Sequence, residues 1–105
     1  MLRLRPSVRL KDLHPAMVIA AMVVENAYRQ VGKDCVITSA NDSTHGQGSL
    51  HFKGKALDFR IKNLPANQRQ AVVANIRDAL PVTDFDILWE DVGLDNEHLH
   101  VEYQP

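Results

Sequence analysis

Residues 97–103, Glu-His-Leu-His-Val-Glu-Tyr, alternate between polar and apolar side chains from His98 onwards. Side chains of a β-strand point alternately to its two faces, so this stretch predicts a strand with one face in the core. The core face would carry the apolar side chains Leu99, Val101 and Tyr103. The opposite face would carry the polar side chains His98, His100 and Glu102. Two imidazoles and a carboxylate are therefore expected on the outer face of a sheet.

Three further strands and two helices are predicted upstream of this stretch. Short apolar or β-branched runs predict the strands at residues 35–39, 56–61 and 85–89. An apolar stripe at three- and four-residue steps over residues 17–31 predicts one helix, and a second is expected between Pro65 and Pro81. This order predicts an α+β fold, with a small, mostly antiparallel sheet and two helices packed on one of its faces.

The composition narrows the class of protein. The chain has 105 residues, of which 45% are hydrophobic and 24% are charged, and we interpret residues 1–105 as a single domain. The net charge of −1 argues against binding to nucleic acid, and no apolar run is long enough to insert into a membrane. Cys35 is the only cysteine, so we expect a buried thiol and no intramolecular disulfide. The basic start lacks the apolar stretch of a signal peptide, so we expect cytoplasmic synthesis. We also expect a monomer.

A metal site is predicted from the residues around Asp58. This carboxylate lies between apolar neighbours in its predicted strand, where an unpaired charge would be costly. Gly54 lets the backbone turn sharply before the strand, so that His51 and Asp58 can reach one point. A His-x-His pair alone is typical of two solvated side chains, but together with Asp58 it favours a metal site. Zinc accepts both imidazole nitrogen and carboxylate oxygen, so we expect zinc on the outer face of the sheet.

The stretch Ser49-Leu-His51-Phe-Lys-Gly54-Lys-Ala56-Leu-Asp58 matches the S-x-H-x-x-G-x-A-x-D motif of the zinc D-Ala-D-Ala peptidases. It resembles even more closely the hedgehog signalling domain, a member of the same superfamily, and the resemblance extends over residues 35–103. It implies one Zn²⁺ ion held by His51, Asp58 and His100, with water in the fourth position. It also implies that His45 and Ser49 contact the substrate.

The resemblance leaves two residues open as the general base. The peptidoglycan peptidases place an acidic residue three positions before the last ligand, which is Glu97 here, whereas hedgehog-type domains end the preceding strand with a glutamate, which is Glu90 here. Strand alternation puts Glu97 on the core side unless it lies in the turn, but we favour Glu97 slightly. His98 resembles the histidine that stabilises the oxyanion of a tetrahedral intermediate.

These expectations together describe a zinc metallopeptidase that cleaves the stem peptide of peptidoglycan, as a wall hydrolase or phage endolysin does after its release to the cell wall. Related carboxypeptidases carry an arginine shortly before the motif, where this chain has Thr38-Ser-Ala-Asn-Asp, so an internal cut is expected over removal of a terminal D-Ala. Lys53, Lys55 and Arg60 could face an anionic substrate or simply be solvated. The alternatives are a non-catalytic hedgehog-like zinc-binding domain that binds a protein or wall partner, and a metal-free structural domain.

Overall fold

The computed structural model describes residues 1–40 and 54–105. Five β-strands lie in these residues: β1 Leu2–Leu4, β2 Cys35–Ser39, β3 Ala56–Arg60, β4 Phe85–Glu90 and β5 His98–Tyr103. Two α-helices accompany them: α1 Pro15–Arg29 and α2 Arg69–Ala79. Residues 41–53 lie outside the described part of the chain.

The strands form one sheet in the order β1-β2-β3-β5-β4. Only β1 and β2 run parallel, and the other three pairings are antiparallel, which confirms the predicted α+β class. The last strand of the chain lies between β3 and β4, so its outward side chains have neighbours on both sides. This central position of β5 brings residues distant in sequence onto one surface.

Both helices pack against the same face of the sheet. The inward side chains of β3, β4 and β5 belong to one buried cluster with those of the helices. Its largest fully buried members are Tyr28, Phe59, Met17, Ile37, Leu57, Ile61, Leu64, Ile76 and Leu99. The Tyr28 hydroxyl also donates a 2.6 Å hydrogen bond to the carbonyl of Arg60, which ties α1 to the end of β3. The predicted alternation of β5 is confirmed, because Leu99 and Val101 are fully buried.

Element boundaries differ modestly from those that the sequence predicts. The second helix does not begin at Pro65: a 3₁₀ turn at Ala66–Gln68 comes first, and α2 then starts at Arg69. Cys35 is buried as expected, and burial raises the pKa of its thiol to about 12. Neither helix in residues 1–40 and 54–105 has the length and apolar character needed to cross a membrane.

The strand β1 was not predicted. Leu2-Arg3-Leu4 alternates between apolar and basic side chains, but the stretch is only three residues long and all three are exposed. It exists because Leu2 to Leu4 pair in parallel with β2, and because the Arg3 guanidinium donates to the Asp34 carboxylate at 2.8 Å. Short edge strands of this kind depend on their tertiary neighbours more than on their own side chains.

Candidate metal centre

Asp58 and His100 lie directly opposite each other in the antiparallel pair of β3 and β5. The Nδ1 atom of His100 is 2.7 Å from Oδ1 of Asp58, and the two side chains are 14% and 18% exposed. The sequence predicts that Asp58 has a polar partner, and this partner is His100, which the motif also implies as a zinc ligand. Cross-strand neighbours of this kind have Cβ atoms close enough to bind one ligand together.

The other ring nitrogen of His100 also faces a carboxylate. Its Nε2 atom is 3.0 Å from Oε1 of Glu102, two residues along the same strand. Ionised carboxylates only accept hydrogen bonds, so each of these two contacts favours a proton on the ring nitrogen that faces it. Burial by itself would lower the pKa of His100, but the hydrogen bonds and charges of Asp58 and Glu102 raise it above its ordinary value.

The donor chemistry of Asp58 and His100 fits zinc. Ligands at about 2.0–2.1 Å from a tetrahedral zinc lie about 3.3 Å from one another, so the observed 2.7 Å separation needs to open only slightly. Glu102 would then accept the remaining N–H of His100, as carboxylates behind metal-bound histidines commonly do. Within residues 1–40 and 54–105, no three His, Cys, Asp or Glu side chains form a group that could hold a metal. The third expected ligand, His51, lies outside those residues.

His98 and Glu90 form a second pair on the same outer face. They are opposite each other in β5 and β4, with His98 Nε2 2.9 Å from Glu90 Oε1 and 3.9 Å from Asp58 Oδ1. The other nitrogen, Nδ1, donates to the carbonyl of Asn96 at 2.8 Å. Burial opposes the charged form of His98, but the Asn96 carbonyl and the carboxylates of Asp58 and Glu90 raise its pKa above the ordinary value. These contacts favour the protonated form of His98 beside the proposed ligands.

Glu97 lies on the opposite, inner side of the sheet. Its carboxylate is 3% exposed and accepts a 2.7 Å hydrogen bond from the indole N–H of Trp89. The backbone N–H of Gly93 donates to it at 3.3 Å, and the guanidinium of Arg69 is 3.6 Å away. The Trp89 hydrogen bond lowers the pKa of Glu97, burial opposes this, and Gly93 and Arg69 lower it further.

These contacts favour Glu90 over Glu97 as the general base. The carboxylate of Glu90 is 43% exposed and lies beside His98, whereas that of Glu97 is occupied by three donors on the core side. The preference for Glu97 that the sequence suggested therefore has no support in the geometry. Strand alternation puts residue 97 on the same side as Leu99, so the sequence pattern already indicated that Glu97 faces the core.

The motif glycine is explained by close packing as well as by its backbone. Gly54 has a φ of +69°, and a Cβ atom added there would collide with the carbonyl of Asp12. His14 caps α1, because its Nδ1 atom accepts a hydrogen bond from the backbone N–H of Ala16. The backbone N–H of His14 donates to the Gly54 carbonyl at 2.8 Å. The start of β3 is thus held against the start of α1, which helps to fix the position of Asp58.

Three predicted site residues lie outside the described part of the chain, and one residue without a predicted role lies in the site. His45 and Ser49, predicted to contact substrate, lie outside the described residues together with His51. Glu102 is predicted on the outer face but has no predicted role. Its two-residue spacing from His100 does indicate that the two side chains are neighbours on that face. No family model, no curated protein and no solved structure matches this chain, so the candidate site stands on its geometry and its motif.

Proposed function

We propose that this protein is a zinc-dependent peptidase that cleaves a peptide bond in the stem peptide of peptidoglycan. The observation that carries the proposal is the convergence of Asp58, His100, His98 and Glu90 on one sheet face. This set combines metal-ligating groups with a carboxylate that can take a proton and an N–H that can stabilise negative charge. Such a combination is what hydrolysis of an amide bond requires.

His51, Asp58 and His100 would hold the metal, with His51 assigned by the resemblance of the motif. The zinc would supply Lewis acidity towards the scissile carbonyl and would lower the pKa of the attacking water. Glu102 accepts the Nε2 proton of His100 at 3.0 Å, and with zinc bound this would leave Nδ1 as the nitrogen that binds the metal alongside Asp58. Glu102 is therefore a positioning residue that acts through His100.

Glu90 accepts the proton of the attacking water and returns it to the leaving amine. Its 43% exposure lets water and substrate reach it, and His98 Nε2 at 2.9 Å from Oε1 orients the carboxylate. The Nε2–H of His98 then donates to the oxyanion of the tetrahedral intermediate, for which the hydrogen bond from Nδ1 to Asn96 orients the ring. The two side chains thus act as a pair, one on the proton and one on the negative charge.

The direct test measures new amino termini released from purified peptidoglycan by protein loaded with one equivalent of zinc. We expect release that a chelator abolishes and added zinc restores. Zinc bound without any release would contradict the peptidase and favour a non-catalytic zinc-binding domain. Protein that binds no zinc at micromolar concentrations would instead favour a metal-free structural domain.

A further inference from the structure

A cavity of about 360 Å³ opens beside Asp58 and His98 and extends along the β4–β5 turn to Glu97. Three positively charged side chains contribute to its wall: Arg5, Arg60 and Lys62. They come from three places in the chain, after β1, at the end of β3 and just beyond it. The cavity therefore joins the proposed catalytic residues to a positively charged surface.

The register of the sheet defines how far the nearest cation lies from the proposed metal ligands. Arg60 is directly opposite His98 and lies two residues beyond Asp58 on the same face of β3. Two residues of a strand span about 7 Å, which is also the length of about two residues of an extended peptide. A substrate bond held at Asp58 would place a group about two residues away beside Arg60.

The backbones that carry these cations are anchored. The Arg5 N–H donates to the Ile37 carbonyl at 3.0 Å, and the Arg60 carbonyl accepts the hydrogen bond from Tyr28. The Lys62 carbonyl accepts a 3.0 Å hydrogen bond from the guanidinium of Arg69. Because these backbones are already ordered, binding a charged group costs the side-chain entropy of the cations but no ordering of the backbone.

The positive charge of this wall is only partly balanced by acids in the cavity. Among residues 1–40 and 54–105, no carboxylate forms an ion pair with Arg60 or Lys62, and the guanidinium of Arg5 donates to the Ser7 hydroxyl at 3.3 Å. The acids in the lining are Asp58, Glu97 and Asp95. Asp58 is engaged by His100, and Glu97 is engaged by Trp89 and Arg69, although the charge of Glu97 also acts on Lys62.

We infer that this cavity binds a carboxylate of the substrate, about two residues from the bond that is cleaved. The inference rests on the proposed peptidase function and adds to it the charge of the substrate. Arginine binds carboxylates through paired hydrogen bonds, and Lys62 adds a second positive charge. A peptidoglycan stem peptide offers two such groups, the free carboxylate of its D-glutamyl residue and its C-terminal carboxylate.

The test compares four synthetic stem peptides of sequence L-Ala-γ-D-Glu-L-Lys-D-Ala-D-Ala. One is unmodified, one is amidated at the D-glutamyl carboxylate, one at the C-terminus and one at both. We expect amidation of one of the two groups to lower kcat/KM of the parent protein by about ten- to a hundredfold, the value of a hydrogen bond to a charged group. The group whose amidation causes the loss is the source of the carboxylate.

The same peptides are then cleaved by the Arg60→Gln and Lys62→Gln variants. Each should lose most of the discrimination between the carboxylate and the amide, because the cation that recognises the charge is absent. Lys33→Gln is the matched control, since Lys33 is an exposed lysine remote from the cavity lining. It should discriminate as the parent does. Thermal melts of all variants should coincide, because the substituted side chains are exposed.

Two outcomes overturn the inference, one measured by cleavage and one by binding. If the parent cleaves all four peptides equally well, the peptidase stands and the carboxylate site does not. If no peptide is cleaved, calorimetric binding of the unmodified and doubly amidated peptides to zinc-loaded protein decides. Equal binding overturns the carboxylate site, whereas a preference for the carboxylate that Arg60→Gln abolishes supports the site and contradicts the peptidase.

Discussion

Glu90 and Glu97 lie at the two ends of the turn between β4 and β5, but their carboxylates are on opposite sides of the sheet. Glu90 is 43% exposed and faces the imidazole of His98, while Glu97 is 3% exposed and receives hydrogen bonds from Trp89 and Gly93. The outer carboxylate can exchange a proton with water and substrate. The inner carboxylate has its oxygens committed to donors, so its contribution is to the stability of the turn.

This difference indicates that position relative to the proposed metal ligands, rather than residue type or spacing, distinguishes the proposed base from a buried acid. Glu97 matches the peptidase spacing of three residues before His100, but that spacing puts it on the core face. Glu90 is ten residues before His100 in sequence and yet reaches the outer face through the register of β4 with β5. We expect substitutions on the outer face to affect zinc binding and hydrolysis, and substitution of Glu97 to affect stability.

The largest effect is expected from loss of a ligand on the outer face. Asp58→Asn keeps the shape of the side chain but removes the charge that balances the metal, so the purified variant should lose bound zinc and peptidoglycan hydrolysis. Metal analysis after dialysis and the release of amino termini measure the two effects. Asp78→Asn, an exposed change on α2, is the matched control and should retain both. Stoichiometric zinc of unchanged affinity in Asp58→Asn would remove Asp58 from the ligand set.

Replacing the candidate base should separate the two glutamates. Glu90→Gln cannot accept a proton, so we expect kcat to fall by about a hundred- to ten-thousandfold with zinc still bound. Glu97→Gln should leave kcat within a few-fold of the parent, measured below its melting temperature. The opposite pattern, with the large loss in Glu97→Gln, would restore the peptidase-type assignment and contradict the role proposed for Glu90.

His98→Ala removes the N–H proposed to donate to the oxyanion. We expect a rise of about 2.7–4 kcal/mol in the barrier to hydrolysis, seen in kcat, with zinc content unchanged. Combining it with Glu90→Gln should give a loss smaller than the product of the two single losses, because the side chains act as a pair. Parent-level activity in His98→Ala would show that the outer face provides no oxyanion donor at this position.

Glu102→Gln tests the carboxylate behind His100. Loss of this acceptor should weaken zinc binding by about ten- to a hundredfold in a competition titration with a chromophoric chelator. Nitrogen NMR of the imidazole should show a changed distribution of the Nε2 proton in the zinc-loaded protein. Asp86→Asn is the matched control, since Asp86 is exposed and opposite Glu102 in β4, and it should leave zinc affinity unchanged. Equal losses in both variants would indicate a general charge effect.

The smallest effect is expected from Glu97, on the free energy of unfolding. The folded-state pKa of Glu97 is lowered, so its ionised form stabilises the fold above the unfolded-state pKa of about 4.3, and this stabilisation is lost as the pH falls through the folded-state pKa. Glu97→Gln should lower the free energy of unfolding by about 1–3 kcal/mol at pH 7 in urea titrations. The difference from the parent should shrink below pH ~4. A difference independent of pH would contradict an ionic role for this carboxylate.

Much of the fold was predictable because its signals are local. The alternation in β5, the apolar stripe of α1 and the turn at Gly54 each depend on neighbouring residues alone. The 3₁₀ turn before α2 and the edge strand β1 were not predictable in this way. Their local sequences are compatible with other backbone conformations, and packing against the rest of the fold decides which conformation forms.

The sequence by itself determined that His98, His100 and Glu102 share a face, and that Asp58 needs a polar partner inside an apolar strand. Only the tertiary structure decided that His100 is that partner, that Glu90 rather than Glu97 meets His98, and that Arg5, Arg60 and Lys62 line one cavity. The physical reason is that side-chain direction follows from the period of a single strand, whereas contact between strands depends on register and order. Those are set by the packing of the whole core.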